Sequence, residues 1–355
     1  MKGIILHGGH GTRLRPLTHT GPKQLLPIAN KPMSEYCLNS IKETGIIDIA
    51  IITGGLGSNK VKEYYGNGEK FGVNITYVEQ DEPRGIAHAI NLCKDFINGE
   101  KFLVFLGDNI IQRPISDFVE NFKKSNFDAT LLLCEVENPS SFGIAQIENK
   151  KIIKIVEKPK TPLSNLAVTG IYLLTSKIFK IIENLKPSWR NELEITDALD
   201  LLLKQNNNLS FEIITDYWKD TGTPQDIIHA NGEIIKNTPE YFHGKKSENT
   251  KISGKVLTGE NSIIEENVMI TGPVIIGENC KINSGVVIGP NTSIGNNSII
   301  NQGNIQNSII MENCEINSPG KIRDSIISNN SKIIQSDKPT GEKIFLLGEG
   351  TKIYL

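Results

Sequence analysis

The first 130 residues alternate short apolar runs with amphipathic segments. Gly3-Ile4-Ile5-Leu6, Ile49 to Thr53, Ile75 to Val78 and Phe102 to Leu106 are nearly unbroken hydrophobic stretches, the pattern of strands buried on both faces. Residues 33–44, 58–65 and 85–96 have helical spacing and fall between them. This alternation predicts βαβ crossovers and an α/β fold, a Rossmann-like mixed, mostly parallel sheet with flanking helices. Beyond residue 129 the strands become antiparallel in character: 142–145, 152–156 and 170–174 are joined by short polar links. A helix running to about Leu203 and another over 224–237 complete a domain spanning 1–243.

From residue 244 to 355 the pattern changes again. Ile recurs every six residues at 264, 270, 276, 282, 288, 294 and 300, with Ile252 in the same register and Thr258 between. The register slips by four and resumes at Ile310, Ile316, Ile322 and Ile334. Neither the 3.6-residue period of a helix nor the 2-residue period of a strand gives this spacing. A hexapeptide-repeat parallel β-helix does, because aliphatics at one position per side fill its narrow interior. Phe345 and Tyr354 are the only aromatics in this stretch, which agrees with a thin core. The slip near 301–309 reads as a bulging corner loop, and 341–355 as a terminal hairpin or cap.

A length of 355 residues suits two domains. Hydrophobic content of 38% and charged content of 22% describe a soluble globular protein. No apolar run approaches the roughly 20 residues that span a bilayer, and the N-terminus has no export signal, so no membrane association and a cytoplasmic location are expected. The five cysteines (37, 93, 134, 280 and 314) are scattered without a C-x-x-C pair, which predicts reduced thiols, no disulfide frame and no zinc site. A formal charge of −2 and the lack of a basic tail weigh against nucleic acid as a partner.

Charge is distributed unevenly, however. Lys2, Arg13, Arg15, Lys23 and Lys31 all precede the first acid, Glu35, and surround a loop carrying Gly8, Gly9 and Gly11. Cations beside exposed backbone N–H groups suit a polyanion, most simply a triphosphate. A Walker A loop is excluded, since Gly11 is followed by Thr12-Arg13, and G-x-G-x-x-G fails for want of its third glycine at Leu14. By themselves these residues also fit an ordinary glycine turn with solvated cations. Asp108, after Phe102 to Leu106, is suitably placed for Mg²⁺, yet Gly107-Asp108-Asn109 is equally turn chemistry. Glu157 and Lys158 are adjacent on a predicted strand, where neighbours point to opposite faces, so adjacency alone does not imply a shared pocket.

The ordered strings GG-x-GTRLRPLT and PKQLLPI-x-NKPM resemble the signature of sugar-1-phosphate nucleotidyltransferases. The form Lys23-Gln24-Leu25-Leu26-Pro27 is most similar to glucose-1-phosphate thymidylyltransferases. The resemblance implies nucleotide contacts from Leu6, Gly8, Gly9, Gly11, Thr12, Arg13, Gln24, Gln80 and Gly85, with Gln80 and Gly85 reading the pyrimidine edge. The L-G-D-N and W-x-D-T-G-T contexts imply that Asp108 and Asp220 hold Mg²⁺. The E-K-P, N-x-A-V-T-G-x-Y and R-x-E-L-E-I-T-D strings imply a sugar-phosphate site from Asn109, Gly143, Glu157, Lys158, Val168, Tyr172 and Glu194. Arg13, Lys23 and Lys158 would then be the catalytic cations. One departure is His7, where the family usually has a small residue. The resemblance extends to the tail, which would be left-handed, and implies a homo-oligomer.

The implied reaction is dTTP plus glucose 1-phosphate giving dTDP-glucose and pyrophosphate. Three rivals stand beside it: the same reaction with UTP or another sugar 1-phosphate, a bifunctional nucleotidyl- and acetyltransferase, and a non-catalytic sugar-nucleotide sensor. The acetyltransferase needs a catalytic His in its β-helix, whereas all six histidines (7, 10, 19, 88, 229 and 243) precede it. A sensor usually loses a phosphate-binding cation or metal carboxylate, and none is missing here.

Overall fold

The structure, a computed structural model, describes residues 1–9, 11–55 and 57–335. The terminal hairpin expected at 341–355 lies outside them. Two compact units emerge: one of Met1–Gly11, Thr18–Leu25 and Met33–Asp220, the other of Thr12–Leu17, Leu26–Pro32 and the chain from Thr221 onward.

In the first unit, β1 (Lys2–Leu6), β2 (Asp48–Thr53), β3 (Asn74–Glu79) and β4 (Phe102–Leu106) lie in the order β3-β2-β1-β4, all parallel. Between them in the chain come α1 (Met33–Glu43), α2 (Ser58–Tyr65) and α3 (Ile86–Leu92). The helix expected over 85–96 breaks at Cys93 and restarts as a short turn, Lys94–Ile97. β5 (Asn109–Ile111) leaves the end of β4 and pairs with a later strand outside this sheet.

The antiparallel half consists of β6 (Ala129–Glu135), β7 (Gly143–Glu148), β8 (Lys151–Glu157) and β9 (Leu166–Leu174), with β9 running antiparallel to β4, β6 and β7. β10 (Leu209–Ile214) pairs in parallel with β6, and β11 (Trp218–Asp220) pairs antiparallel with β5. Side chains of β1 alternate between two cores: Ile4 and Leu6 join α3 on one face, and Ile5 joins α1 and Tyr65 on the other. That two-sided burial is why these strands read as unbroken apolar runs. The turns that carry chemistry all leave strand ends.

In the second unit, α4 (Pro224–Asn237) begins with a capping box between Thr223 and Asp226 and with proline in its first turn. Beyond it, strands of two or three residues stack in parallel. Ile252 pairs with Ile270, Leu257 with Ile275 and Ile264 with Ile282, each eighteen residues on, so a coil has three sides of six residues. Ile264, Ile270, Ile276, Ile282, Ile288, Ile294 and Ile300 all point inward and are fully or almost fully buried. Asn261, Asn279 and Asn297 occupy one corner in the left-handed conformation, at φ 59°, 54° and 59°. Asparagine tolerates that region. Their amides form a ladder with Nδ2–Oδ1 distances of 3.2 Å.

The slip in the isoleucine register coincides with register shifts between Ile300 and Asn304, a bulge carried within a strand rather than an open loop. Ile299–Gln306 is one continuous strand, and Ile305 fills the interior between Ile300 and Ile310, so two successive sides have five residues each. Later coils are correspondingly shorter: Ile316 pairs with Ile333, which faces the interior, while Ile334 is 55% exposed. The inward residue is thus Ile333, not Ile334.

This register has a measurable consequence. Ile288→Ala should lower the stability of the second unit by about 2–5 kcal/mol in urea unfolding. Ile333→Ala should cost more than Ile334→Ala, which should stay within about 0.5 kcal/mol of the parent. The opposite ranking would restore the unbroken six-residue register.

Candidate functional site

Three turns of the first unit bring chemistry to the ends of β1, β3 and β4. The glycine loop follows β1. Gln24 Nε2 donates to Gly8 O at 3.0 Å, Thr18 Oγ1 donates to Gly11 O at 2.9 Å, and Gly9 and Gly11 have φ of 98° and 57°. A Cβ added to Gly8 would stand 3.3 Å from Gln80 Oε1. Gln80, which follows β3, is almost fully buried, and its Nε2 reaches Gly85 O at 3.4 Å and His88 Nδ1 at 3.1 Å. Gly85 (φ 104°) opens α3 so tightly against Leu193 that a Cβ would come within 2.5 Å of Leu193 O. The loop, Gln80 and Gly85 therefore form one cradle. Leu6 is buried beside it, its carbonyl accepting from Gly107 N at 3.0 Å.

Beside that cradle Lys23 and Asp108 form an ion pair that is largely shielded from solvent. Burial opposes the charged carboxylate, but the Lys23 ammonium and hydrogen bonds from Lys23 and Asn109 prevail and hold Asp108 below the usual carboxylate range. Asp220, in β11, sits opposite Asn109 in the antiparallel ladder, one residue from Asp108. Asp220 thus lies in this short ribbon and Asp108 directly precedes it.

A second cluster gathers where β8 ends. Glu157 Oε2 accepts from Thr196 Oγ1 at 2.9 Å, and Glu157 Oε1 faces Arg190 at 3.4 Å and Lys158 Nζ at 3.6 Å. Arg190 also pairs with Glu192 at 3.0 Å and Glu194 at 3.3 Å. Glu194 is buried and accepts from Ser188 Oγ at 2.9 Å, and burial together with Glu157 pushes its carboxyl upward. Gly143 pairs with Glu157 across the strands, and a Cβ there would lie 2.4 Å from Thr196 and 3.2 Å from Glu157. Only glycine fits.

The alternation that would send Glu157 and Lys158 to opposite faces fails for a local reason. The strand ends at Glu157, and Lys158 adopts φ 40°, with its N–H donating to Phe142 O at 3.0 Å. That left-handed turn brings the ammonium back beside the carboxylate it follows. Such a conformation in a lysine costs on the order of 1–3 kcal/mol.

Tyr172 joins the two clusters. It is buried on β9, on the same core face as Val168, and its hydroxyl is pushed up first by burial and then by Glu157, Asp108 and Glu194. One phenol therefore feels carboxylates from both groups. Thr12 and Arg13 lie in the second unit, Thr12 opening a short 3₁₀ turn and Arg13 resting its guanidinium against Gly222. Arg190 and Thr196 were not singled out from sequence. Both stand in the same R-x-E-L-E-I-T-D string as Glu194, where a lone cation among acids was the available signal.

Residues 2–237 match the nucleotidyl transferase family and residues 270–353 the GMPPB C-terminal domain. The chain is 41% identical, over the full length of both, to the low-salt glycan biosynthesis nucleotidyltransferase Agl11 of Haloferax volcanii. It is 37% identical, over 99% of both, to a glucose-1-phosphate thymidylyltransferase of Streptomyces antibioticus. Among solved structures it resembles a Bacillus anthracis protein provisionally named glucose-1-phosphate thymidylyltransferase, solved with sucrose. There the TM-score is 0.64 and the identity 44%, over 68% of this chain and 98% of that one.

His7 is buried directly after β1. It shares the face of Ile5, meets Tyr65 edge-on at 5.9 Å between centroids, and finds no hydrogen-bond partner for either nitrogen. Burial lowers its pKa from 6.5 to about 3, against a smaller opposing effect of Asp108. Between those values the folded chain keeps His7 neutral while the unfolded chain binds a proton, so stability falls as pH drops from 6.5 toward 3. His7→Phe should be more stable than the parent by on the order of 1 kcal/mol at pH 7. Its advantage should grow by about 2 kcal/mol at pH 5. Urea unfolding at both pH values checks this, and an equal gain at each would contradict it.

Proposed function

The chain belongs to the nucleotidyl transferase family and is a sugar-1-phosphate nucleotidyltransferase; within that class we propose that it transfers a thymidylyl group from dTTP to glucose 1-phosphate, releasing pyrophosphate. The observation that carries this reading is that one sheet brings to its strand ends both the Lys23–Asp108 pair beside the glycine loop and the Glu157–Lys158–Arg190–Glu194 cluster, groups suited to phosphates and to sugar hydroxyls. End-to-end similarity to the Streptomyces antibioticus enzyme supports the nucleotide and the sugar. In this reading residues 1–243 hold the chemistry and 244–355 a left-handed β-helix.

The attacking oxygen of a sugar phosphate is already anionic, so no general base is needed. The chain's task is to hold two polyanions in line and to offset their charge. Gly8, Gly9 and Gly11 offer backbone N–H groups to the triphosphate, Lys23 neutralises it, and Gln80 with Gly85 faces the base. Glu157 and Glu194 accept sugar hydroxyls, Gly143 and Val168 bound the pocket, and Lys158 meets the sugar phosphate, with Arg190 beside it. Asp108 and Asp220 suit Mg²⁺, which favours one or two carboxylates with waters and substrate phosphates completing its shell. No group of three or more His, Cys, Asp or Glu among the described residues could hold an ion without such help. Bound there, Mg²⁺ would withdraw charge from the α-phosphate.

A panel of dTTP, UTP, ATP and GTP against glucose, galactose, mannose and N-acetylglucosamine 1-phosphates, scored by pyrophosphate, tests the assignment. The expected best pair is dTTP with glucose 1-phosphate. UTP, which lacks the methyl and carries a 2′-hydroxyl, should follow, since the methyl is worth only about 1 kcal/mol in a pocket. A clear preference for a purine nucleotide or another sugar would overturn it. Lys158→Ala should lower kcat/KM about 10²–10³-fold without loss of folding stability, by analogy with removal of one transition-state donor. Full turnover by that variant would remove Lys158 from the mechanism.

A further inference from the structure

Trp218 enters none of the roles above, yet it is tied to the carboxylate the proposed chemistry depends on. Its indole Nε1–H donates to Asn109 Oδ1 at 2.9 Å, and Asn109 Nδ2 donates to Asp108 Oδ1 at 3.0 Å. Asn109 is only 3% exposed, and Gly170 presses on its amide so closely that a Cβ there would lie 2.8 Å from Nδ2. The other carboxylate oxygen of Asp108 faces Lys23. We propose that Trp218 is a positioning residue that sets the orientation of Asp108 through the Asn109 amide.

The argument follows from donor and acceptor chemistry. An indole N–H can only donate, so it requires the oxygen of the amide. That choice turns the NH₂ group toward Asp108. Without the indole, nothing in this chain of bonds distinguishes the two ends of the amide. A flipped Asn109 would set its oxygen against a carboxylate, an arrangement with no hydrogen to share and two like partial charges in a buried place. Trp218 is itself held by backbone pairing with Ile111 and by an edge-on contact with Phe142 at 5.7 Å between centroids. Phe142 in turn accepts the Lys158 N–H, so the ring that aims Asp108 also rests on the turn that returns Lys158 to its site. With Lys23 on one oxygen and Asn109 on the other, the carboxylate of Asp108 is held in one orientation.

This inference rests on the reading of Asp108 as a metal carboxylate, and its test separates the two. Mn²⁺ alone is the probe, titrated into the full chain and followed by loss of the free-ion electron paramagnetic resonance signal, with thermal unfolding recorded beside it. Asp108→Asn should abolish the Asp108-dependent binding. Trp218→Phe keeps an aromatic ring against Phe142 and should raise the Mn²⁺ dissociation constant about tenfold or more, the usual effect of losing an outer-shell partner. Asn109→Ala should do the same, and the double variant should bind no worse than either single one, because both act through one amide. Should Trp218→Phe prove too unstable to assay, Asn109→Ala decides: Mn²⁺ affinity within twofold of the parent rejects the bracket. Parent-like affinity in Trp218→Phe, or single effects that multiply in the double variant, rejects it too. Unchanged binding in Asp108→Asn would instead reject the metal reading, and the positioning role with it.

Discussion

A lysine and an aspartate pressed together at the ends of buried strands set the terms for everything around them. Neither charge is tolerable there alone, since an ionised side chain removed from water must be paired and hydrogen-bonded. Lys23 therefore fixes Asp108, and Asp108 constrains what can stand near it: an amide with its NH₂ group facing inward. The same requirement explains why the cation-rich N-terminal stretch and the turn after β4 must meet, although about 80 residues separate them in a chain built of parallel crossovers.

Some of this was legible in the amino-acid order. Gly8, Gly9 and Gly11 announced a tight turn after the first strand, and the six-residue isoleucine period announced coils with an aliphatic interior. These signals are local, set by residue type and spacing. Other features depend on backbone choices no spacing reveals. Glu157 and Lys158 share a cluster because one lysine takes a left-handed conformation, which strand periodicity cannot anticipate. Arg190 became visible only when the fold set it among Glu157, Glu192 and Glu194, residues that come from two segments of the chain. The choice of Ile333 over Ile334 followed from coil lengths that accumulate over several turns.

The two halves of the molecule illustrate different ways of holding shape. In the first unit, strand ends carry strained turns and paired charges, and stability is given up locally where geometry is needed. His7, neutral and without a hydrogen-bond partner, belongs to that pattern. The second unit takes most of its left-handed turns on asparagine, which tolerates that conformation. Its coils repeat one solution, with an isoleucine pointing inward, an asparagine turning the corner and a neighbour eighteen residues away closing the backbone hydrogen bonds.

The five-residue sides at Ile300–Ile305–Ile310 carry an evolutionary corollary. A stacked coil senses only which side chain arrives at the interior, not how many residues the path around the outside contains. Loss of one codon at a corner can then be absorbed where it occurs, with each later isoleucine reaching its ledge by a shorter road. A tail of this kind can change length during descent by small excisions, a freedom denied to the strands of the first unit, where a single omitted residue would turn every following side chain to the wrong face.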